Sequence, residues 1–291
     1  MTVARALSRA QLGLEAPLVE VEAHLGSGLP SFTIVGLPAP VVRESRERVR
    51  AALLNSGYVF PPGRITVNLA PVELSKQGGR FDLPIALALL RASGQLPAIP
   101  HCAFECYGEL GLAGELKPVG GLFLAALHAR EAQHPVIVPR ENSEEVRLSG
   151  HAAVHGASDL RAAAEIAAFA GTAATSTLTV AAGAPAGPGV PDAPATPGPG
   201  PLEDIVGHWH AKRALIVAAA GGHSLLLVGP PGSGKSMLAA RLPELLPPLS
   251  AHEALEVASI ASMAGHRLDV RRWTRRPFRA PHHTASAHAI V

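Results

Sequence analysis

Cysteine is nearly absent: Cys102 and Cys106 are the two in a chain of 291 residues. A disulfide framework is thereby excluded as the basis of the fold, and two reduced thiols in a cytosolic protein are the simpler reading. His101 beside them makes a metal site conceivable, but the trio falls short of a reliable ligand set. A surplus of charge is also missing, with 25 Lys and Arg against 23 Asp and Glu for a net charge of +2. The whole-chain charge therefore names no partner, and any affinity for nucleic acid must come from a local patch. Although 47% of the residues are hydrophobic, no unbroken run is long enough to cross a membrane. The first residues carry Arg5, Arg9 and Glu15 without a sustained apolar core, so no secretory signal is visible. A cytoplasmic protein with no membrane partner is expected.

What is present is concentrated at Gly229-Pro230-Pro231-Gly232-Ser233-Gly234-Lys235-Ser236. This octapeptide satisfies the phosphate-binding loop pattern G-x-x-x-x-G-K-[ST] at every fixed position. Gly229, Gly232 and Gly234 let the backbone curl so that successive N–H groups point at one anion. Lys235 can reach the β- and γ-phosphates of ATP, and the Ser236 hydroxyl can ligate Mg²⁺. The apolar run Leu225–Val228 reads as a strand buried on both faces, and Ser236–Leu242 as a helix whose positive end adds to the anion site. A chance Gly/Pro turn is the alternative, and the fit of both flanks argues against it.

The stretch 181–201 is rich in Pro, Gly and Ala and has almost nothing to bury. It predicts a flexible linker between residues 1–180 and 202–291. In the first part, Val19–Leu25 and Ile65–Leu69 alternate apolar and polar residues as half-buried strands do, and Phe32–Val35 is a further short strand. Val41–Asn55 predicts a helix with Val42, Val49 and Leu53 on its buried face and its arginines and glutamates outward. Asp82 is placed to N-cap a helix that runs to Leu90 with Pro84 in its first turn. A helix over Leu122–Ala132 and a buried strand over Val136–Val138 follow. The second part opens with a helix over His210–Ala220. This alternation predicts an α/β or α+β domain, followed by the phosphate-loop domain.

Several longer strings resemble the ComM/YifB family, the Mg-chelatase-like competence proteins of bacteria. They are GLPSFTIVGLP (28–38), VRESRERVRAALLNSGYVFP (42–61), ITVNLAPVELSKQGGRFDLPIALALL (65–90), GELGLAGELKPVGG (108–121), AKRALIVAAAGGHSLLLVGPPGSGKSMLA (211–239) and RPFRAPHHTASAHAIV (276–291). The resemblance implies a Lon-protease-like domain of the ribosomal S5 domain 2-like group over 1–180. It further implies an AAA+ module similar to the magnesium-chelatase ATPase over 202–291. Relatives of this kind are thought to bind ATP and Mg²⁺, assemble as hexameric rings, and drive DNA branch migration in natural transformation and recombination. A chelatase-type ATPase subunit and a non-enzymatic ring-forming module are the alternatives.

The same resemblance bears on proteolysis. Lon-like proteases use a serine activated by a lysine of depressed pKa. The run matching the serine is Lys76-Gln77-Gly78-Gly79-Arg80-Phe81-Asp82, which puts Arg80 at the nucleophile position. The run matching the lysine is Gly120-Gly121-Leu122, followed by Phe123. Neither replacement can serve the chemistry, and adjacent Ser75 and Lys76 would point to opposite faces. No peptidase activity is expected.

Near the end, His266–Arg279 carries six arginines with Trp273 and Phe278 interleaved. Arg271, Arg272, Arg275 and Arg276 are the candidate DNA contacts, because guanidinium binds phosphate and aromatic faces stack on bases. A subunit-interface segment or a solvated charged loop are the other readings. After Ser236 no apolar run ends in the Asp-Glu pair that would hold Mg²⁺ and position water, and Asp269 is isolated. The 90 residues from 202 fall below the roughly 200 expected of a full ATPase domain with its lid. The sequence therefore reads as a truncated family member, with weak nucleotide binding and no useful hydrolysis expected.

Overall fold

The computed structural model describes residues 2–97, 104–172, 202–266, 268–269, 272–282 and 284–286. The expected linker and the His101–Cys102 pair lie outside the described residues. Contacts divide the chain into two compact units. The first comprises Met1–Pro188 with Ala258–Val270, and the second Gly189–Val257 with Arg271–Val291.

The first unit contains, in chain order, β1 (Thr2–Arg9), β2 (Leu18–Gly26), β3 (Ser31–Val35), α1 (Pro40–Asn55), β4 (Arg64–Ala70), α2 (Asp82–Ala92), β5 (Glu105–Cys106), β6 (Glu109–Leu110), β7 (Leu116–Lys117), α3 (Leu122–Glu131), β8 (Val136–Pro139), α4 (Ser143–Arg147), β9 (Val154–Ala157) and α5 (Leu160–Thr172). Seven of the strands form one mixed sheet in the order β3-β4-β2-β1-β5-β8-β9, and β6 pairs with β7 separately. β2 is antiparallel to both β1 and β4, while β3–β4, β1–β5, β5–β8 and β8–β9 are parallel. The α/β expectation is met in this mixed form.

Alternation drives the antiparallel half. Val19, Val21 and Ala23 of β2 and Ile65, Val67 and Leu69 of β4 are buried, and Glu20, Glu22, Thr66 and Asn68 turn outward. Against that face lies α2, buried along its whole length. A helix apolar all round is stable only when enclosed, and α1 and α5 complete the enclosure. α1 contributes Val42, Val49, Ala52 and Leu53 to this core. A second core forms around α3, from Tyr107, Leu122, Ala125, Val136, Val138, Val146 and Val154.

Two buried carboxylates stitch these elements. Glu105 on β5 accepts from Arg9 Nε at 2.8 Å and Arg9 Nη2 at 2.8 Å, from the Tyr107 hydroxyl, and from His134 Nδ1 at 2.9 Å. Burial, reinforced by Glu105, pushes the Tyr107 hydroxyl pKa well up, so it stays a donor. Asp82 departs from its expected role. The cap position falls on Phe81, and Asp82 is the first helical residue with no capping bond. Its carboxylate instead accepts from Arg48 Nε at 2.7 Å, Arg48 Nη2 at 3.1 Å, the Ser45 hydroxyl and the Leu110 amide at 3.2 Å. Charge-assisted bonds in a buried setting are stronger than a cap to a backbone N–H, which is why the tertiary role prevails.

Replacing Asp82 by Ala should therefore destabilise the first unit by about 3 kcal/mol, because it strands a half-buried guanidinium. The unfolding midpoint should fall by about 6–12 °C in a circular-dichroism melt. Exposed Glu47→Ala, on the same α1, should shift it by less than about 2 °C.

Candidate phosphate-binding site

The second unit holds α6 (Trp209–Gly221), α7 (Lys235–Ala240), α8 (Leu242–Leu245) and the opening turns of α9 (Ala251–Met263). α6 ends where Gly222 takes the left-handed conformation at φ 64°. The chain then runs to the loop Gly229–Ser236. Gly232 at φ 79° and Gly234 at φ 78° are both left-handed, and Gly234 is the residue before the first turn of α7. A side chain at either would be strained, so glycine is required for the curl. At Gly229 an added Cβ would come within 3.0 Å of Ser233 Oγ, so the loop closes on itself there.

Lys235 lies across this loop. Its ammonium donates to the Gly229 carbonyl at 2.9 Å, the Pro230 carbonyl at 2.6 Å and Ser233 Oγ at 3.2 Å. Ser236 sits in the first turn of α7, next to it. The loop therefore brings together left-handed glycines, one ammonium and the hydroxyls of Ser233 and Ser236. That donor set fits the phosphates of a nucleotide and one ligand to an Mg²⁺ ion that accompanies them.

The flanking strand is not formed. Leu225–Val228 joins no strand among the described residues, and Leu226 and Val228 are each 85% exposed. The burial on both faces that the apolar pattern predicts requires a neighbouring strand on each side. Among the described residues the second unit has no strand to supply either.

A cavity of about 730 Å³ adjoins the start of α6. Leu202, Ile205, Val206, Trp209, Ile216 and Leu245 form most of its wall. His208, at the foot of the helix, comes within 3.7 Å of where a Cβ on Gly234 would stand, so cavity and loop are neighbours. Lys212 holds the approach by donating to the Ile205 carbonyl and lying 5.3 Å from the Trp209 ring. The sequence pattern alone does not reveal this pocket. Its signal was the string of apolar residues before α6 together with an exposed tryptophan.

Acidic residues beyond the loop are engaged elsewhere. Glu244 pairs with Arg241 at 3.5 Å and Arg275 at 3.2 Å, Glu253 with Arg276 at 3.5 Å, and Glu256 with His252 at 3.5 Å. Among the described residues no group of three or more His, Cys, Asp or Glu could hold a metal.

The same pairs change the arginine run. Arg275 and Arg276 are tied to Glu244 and Glu253, and Arg276 Nε also donates to the Pro247 carbonyl at 2.7 Å. Trp273, expected as a stacking face, is only 8% exposed because the segment packs back on Leu249, whose amide donates to the Thr274 carbonyl at 2.8 Å. Phe278 remains exposed. Arg271 lies outside the described residues, and Arg272 occupies a short turn beside Trp273.

In the first unit the two strings matched to a protease dyad do meet. Arg80 Nη2 donates to the Gly120 carbonyl at 2.7 Å, while Phe123 is fully buried in α3. Ser75 is exposed and Lys76 buried, its ammonium turned to the Pro71 carbonyl. Burial pushes the Lys76 pKa down. No hydroxyl or thiol stands beside Arg80 among its bonded partners, Gly120 and Gln11.

The family described as subunit ChlI of Mg-chelatase matches residues 21–142, and that described as magnesium chelatase, subunit ChlI, matches residues 201–291. The chain is 45% identical over 292 residues to uncharacterized protein YifB of Salmonella typhimurium, covering 100% of this chain and 55% of that protein. To competence protein ComM of Haemophilus influenzae it is 44% identical over 291 residues, covering 100% and 56%. To YifB of Escherichia coli it is 44% identical over 284 residues, covering 98% and 54%. It spans about half the length of these curated relatives. On identity at this level along the whole of this chain and on the chelatase-subunit matches to both of its parts, the chain belongs to the ComM/YifB family of Mg-chelatase-like proteins.

Proposed function

We propose that this chain is the nucleotide-binding part of an AAA+-type protein that acts on DNA, with ATP and Mg²⁺ bound at Gly229–Ser236. The observation that carries the reading is the loop: two left-handed glycines with a lysine folded over them. Lys235, now bonded to three loop oxygens, and the backbone N–H groups of the loop would hold the β- and γ-phosphates. The Ser236 hydroxyl would hold an Mg²⁺ ion that accompanies the nucleotide. The apolar cavity at Trp209 is of a size to take the base. The role we assign to these residues is nucleotide binding.

Action on DNA is supported by the relative named a competence protein and by the arginine run. Branch migration, and assembly into a homo-oligomeric ring, are the specific forms we assign. We further assign residues 1–180 to a Lon-like domain without proteolytic function, a linker to 181–201 and the start of the AAA+ domain to 202–291. The reading as a chelatase ATPase subunit rests on the descriptions of the two matching families. DNA binding that depends on ATP favours the first reading.

Three measurements test this. Titrating a fluorescent ATP analogue with Mg²⁺ should give saturable binding that Lys235→Ala weakens by about tenfold or more, since charged hydrogen bonds are lost. Equal affinity in the variant would remove the site. Reversing Arg271, Arg272, Arg275 and Arg276 to Glu should weaken duplex DNA binding and flatten its dependence on salt. An unchanged gel shift across salt concentrations would exclude this segment as the contact. Incubation with an unfolded substrate such as casein should yield no fragments, and cleavage that survives Arg80→Ala would overturn the assignment of residues 1–180.

A further inference from the structure

Among the described residues, Arg80 is a buried charge without a counter-ion. It sits in the short turn Gly79–Phe81 that leads into α2 and is only 8% exposed. Nη2 is satisfied by the Gly120 carbonyl at 2.7 Å and Gln11 Oε1 at 3.3 Å. Nη1 is buried and has no hydrogen-bond partner among the described residues. The carboxylates around this turn are directed elsewhere. Asp82 serves Arg48, Glu105 serves Arg9, and Glu109 lies against Gly79, where a Cβ would meet its Oε2 at 2.3 Å. Burial lowers the Arg80 pKa, and the Tyr107 hydroxyl is the ionisable group that counters this. A guanidinium nevertheless keeps its proton at neutral pH, so the charge stays. An unpaired buried ion is among the costliest features a fold can carry.

The surroundings are those of an anion site. Arg80 forms part of the wall of a cavity of about 300 Å³, with Gln11, Gly13, Gln77 and Met263. The start of α3 adjoins it. Gly121, the residue before that helix, is left-handed at φ 72°, and a Cβ on it would collide with Gln11 Oε1 at 2.4 Å and crowd Arg80 Nη2 at 3.0 Å. The glycine keeps the arginine and the glutamine close to the helix end. α3 has no acidic residue in its first turn and no side-chain cap, so its positive end is uncompensated from within.

We propose that this pocket binds a small oxyanion, a phosphate or carboxylate group received by Arg80 Nη1 with the side-chain amides of Gln11 and Gln77 at its rim. Both groups present the same chemistry, an anionic oxygen to an N–H donor. The site is separate from the phosphate loop and does not depend on the nucleotide reading.

The test uses the full chain carrying Lys235→Ala, so that the loop ammonium cannot take the probe. Isothermal titration with inorganic phosphate, and in a second arm with acetate, should show saturable uptake of at least one of them. The tighter of the two identifies which kind of oxyanion the site takes. Adding Arg80→Gln should weaken that uptake by about tenfold or more, and Arg80→Lys by less. Gln11→Glu supplies the missing counter-ion in place. It should raise the melting temperature and abolish anion uptake together. This variant carries the test if Arg80→Gln fails to fold. No saturable uptake of either anion, or uptake unaltered by Arg80→Gln or Gln11→Glu, overturns the proposal and leaves Arg80 as a structural residue.

Discussion

The carboxylate of Asp82 is the contact on which the first unit turns. It joins α1 through Arg48 and Ser45, the hairpin strand β6 through the Leu110 amide, and the start of α2 by belonging to it. α2 is the helix that fills the core, so whatever fixes its first residue fixes the register of the helix against β1 and β2. The turn Gly79–Phe81 immediately precedes it and inherits that position. Arg80 is therefore held against Gly120 less by its own bonds than by the helix behind it. An arginine free to choose would leave a buried, partly unpaired position for water.

This hierarchy explains what could be read from the sequence. β2, β4 and α1 were legible because each buries one face, and the period of its apolar residues reports that face directly. α2 was legible as a helix but its central place was not, since total burial leaves no period to read. β1 escaped notice because its inward positions include Ser8 and Arg9, and Arg9 is buried only because Glu105, far along the chain, receives it. Asp82 was assigned to the cap because a cap and a tertiary ion pair look alike in one dimension. The candidate phosphate loop was legible as chemistry, through glycine spacing and a lysine. Its strand was not, because four apolar residues say that they prefer burial without saying what would bury them.

The loop and the Arg80 pocket present an anion with opposite solutions. In the candidate loop the donors on offer are backbone groups at left-handed glycines, and the one full charge is an ammonium already bonded to carbonyls. An incoming phosphate must replace three existing contacts of Lys235, so affinity there depends on how well the rest of the loop converges. In the Arg80 pocket the charge is fixed, desolvated and short of acceptors. There an anion displaces no protein contact of Nη1 and relieves a standing cost.

That contrast sets different sensitivities to the solvent. A half-buried ammonium on a surface loop is screened by salt, and its attraction for phosphate weakens as ionic strength rises. A guanidinium buried beside the starts of α2 and α3 is screened much less by ions in the bulk solvent. The arginines at 275 and 276 belong with the first kind. Each already has a glutamate partner at the surface, and such pairs are worth little in water, so a polyanion can exchange with Glu244 and Glu253 at small cost. The ion pairs seen there are thus compatible with a surface that trades carboxylates for phosphates, while the buried pairs of Asp82 and Glu105, enclosed and multiply bonded, are not available for exchange and remain part of the frame.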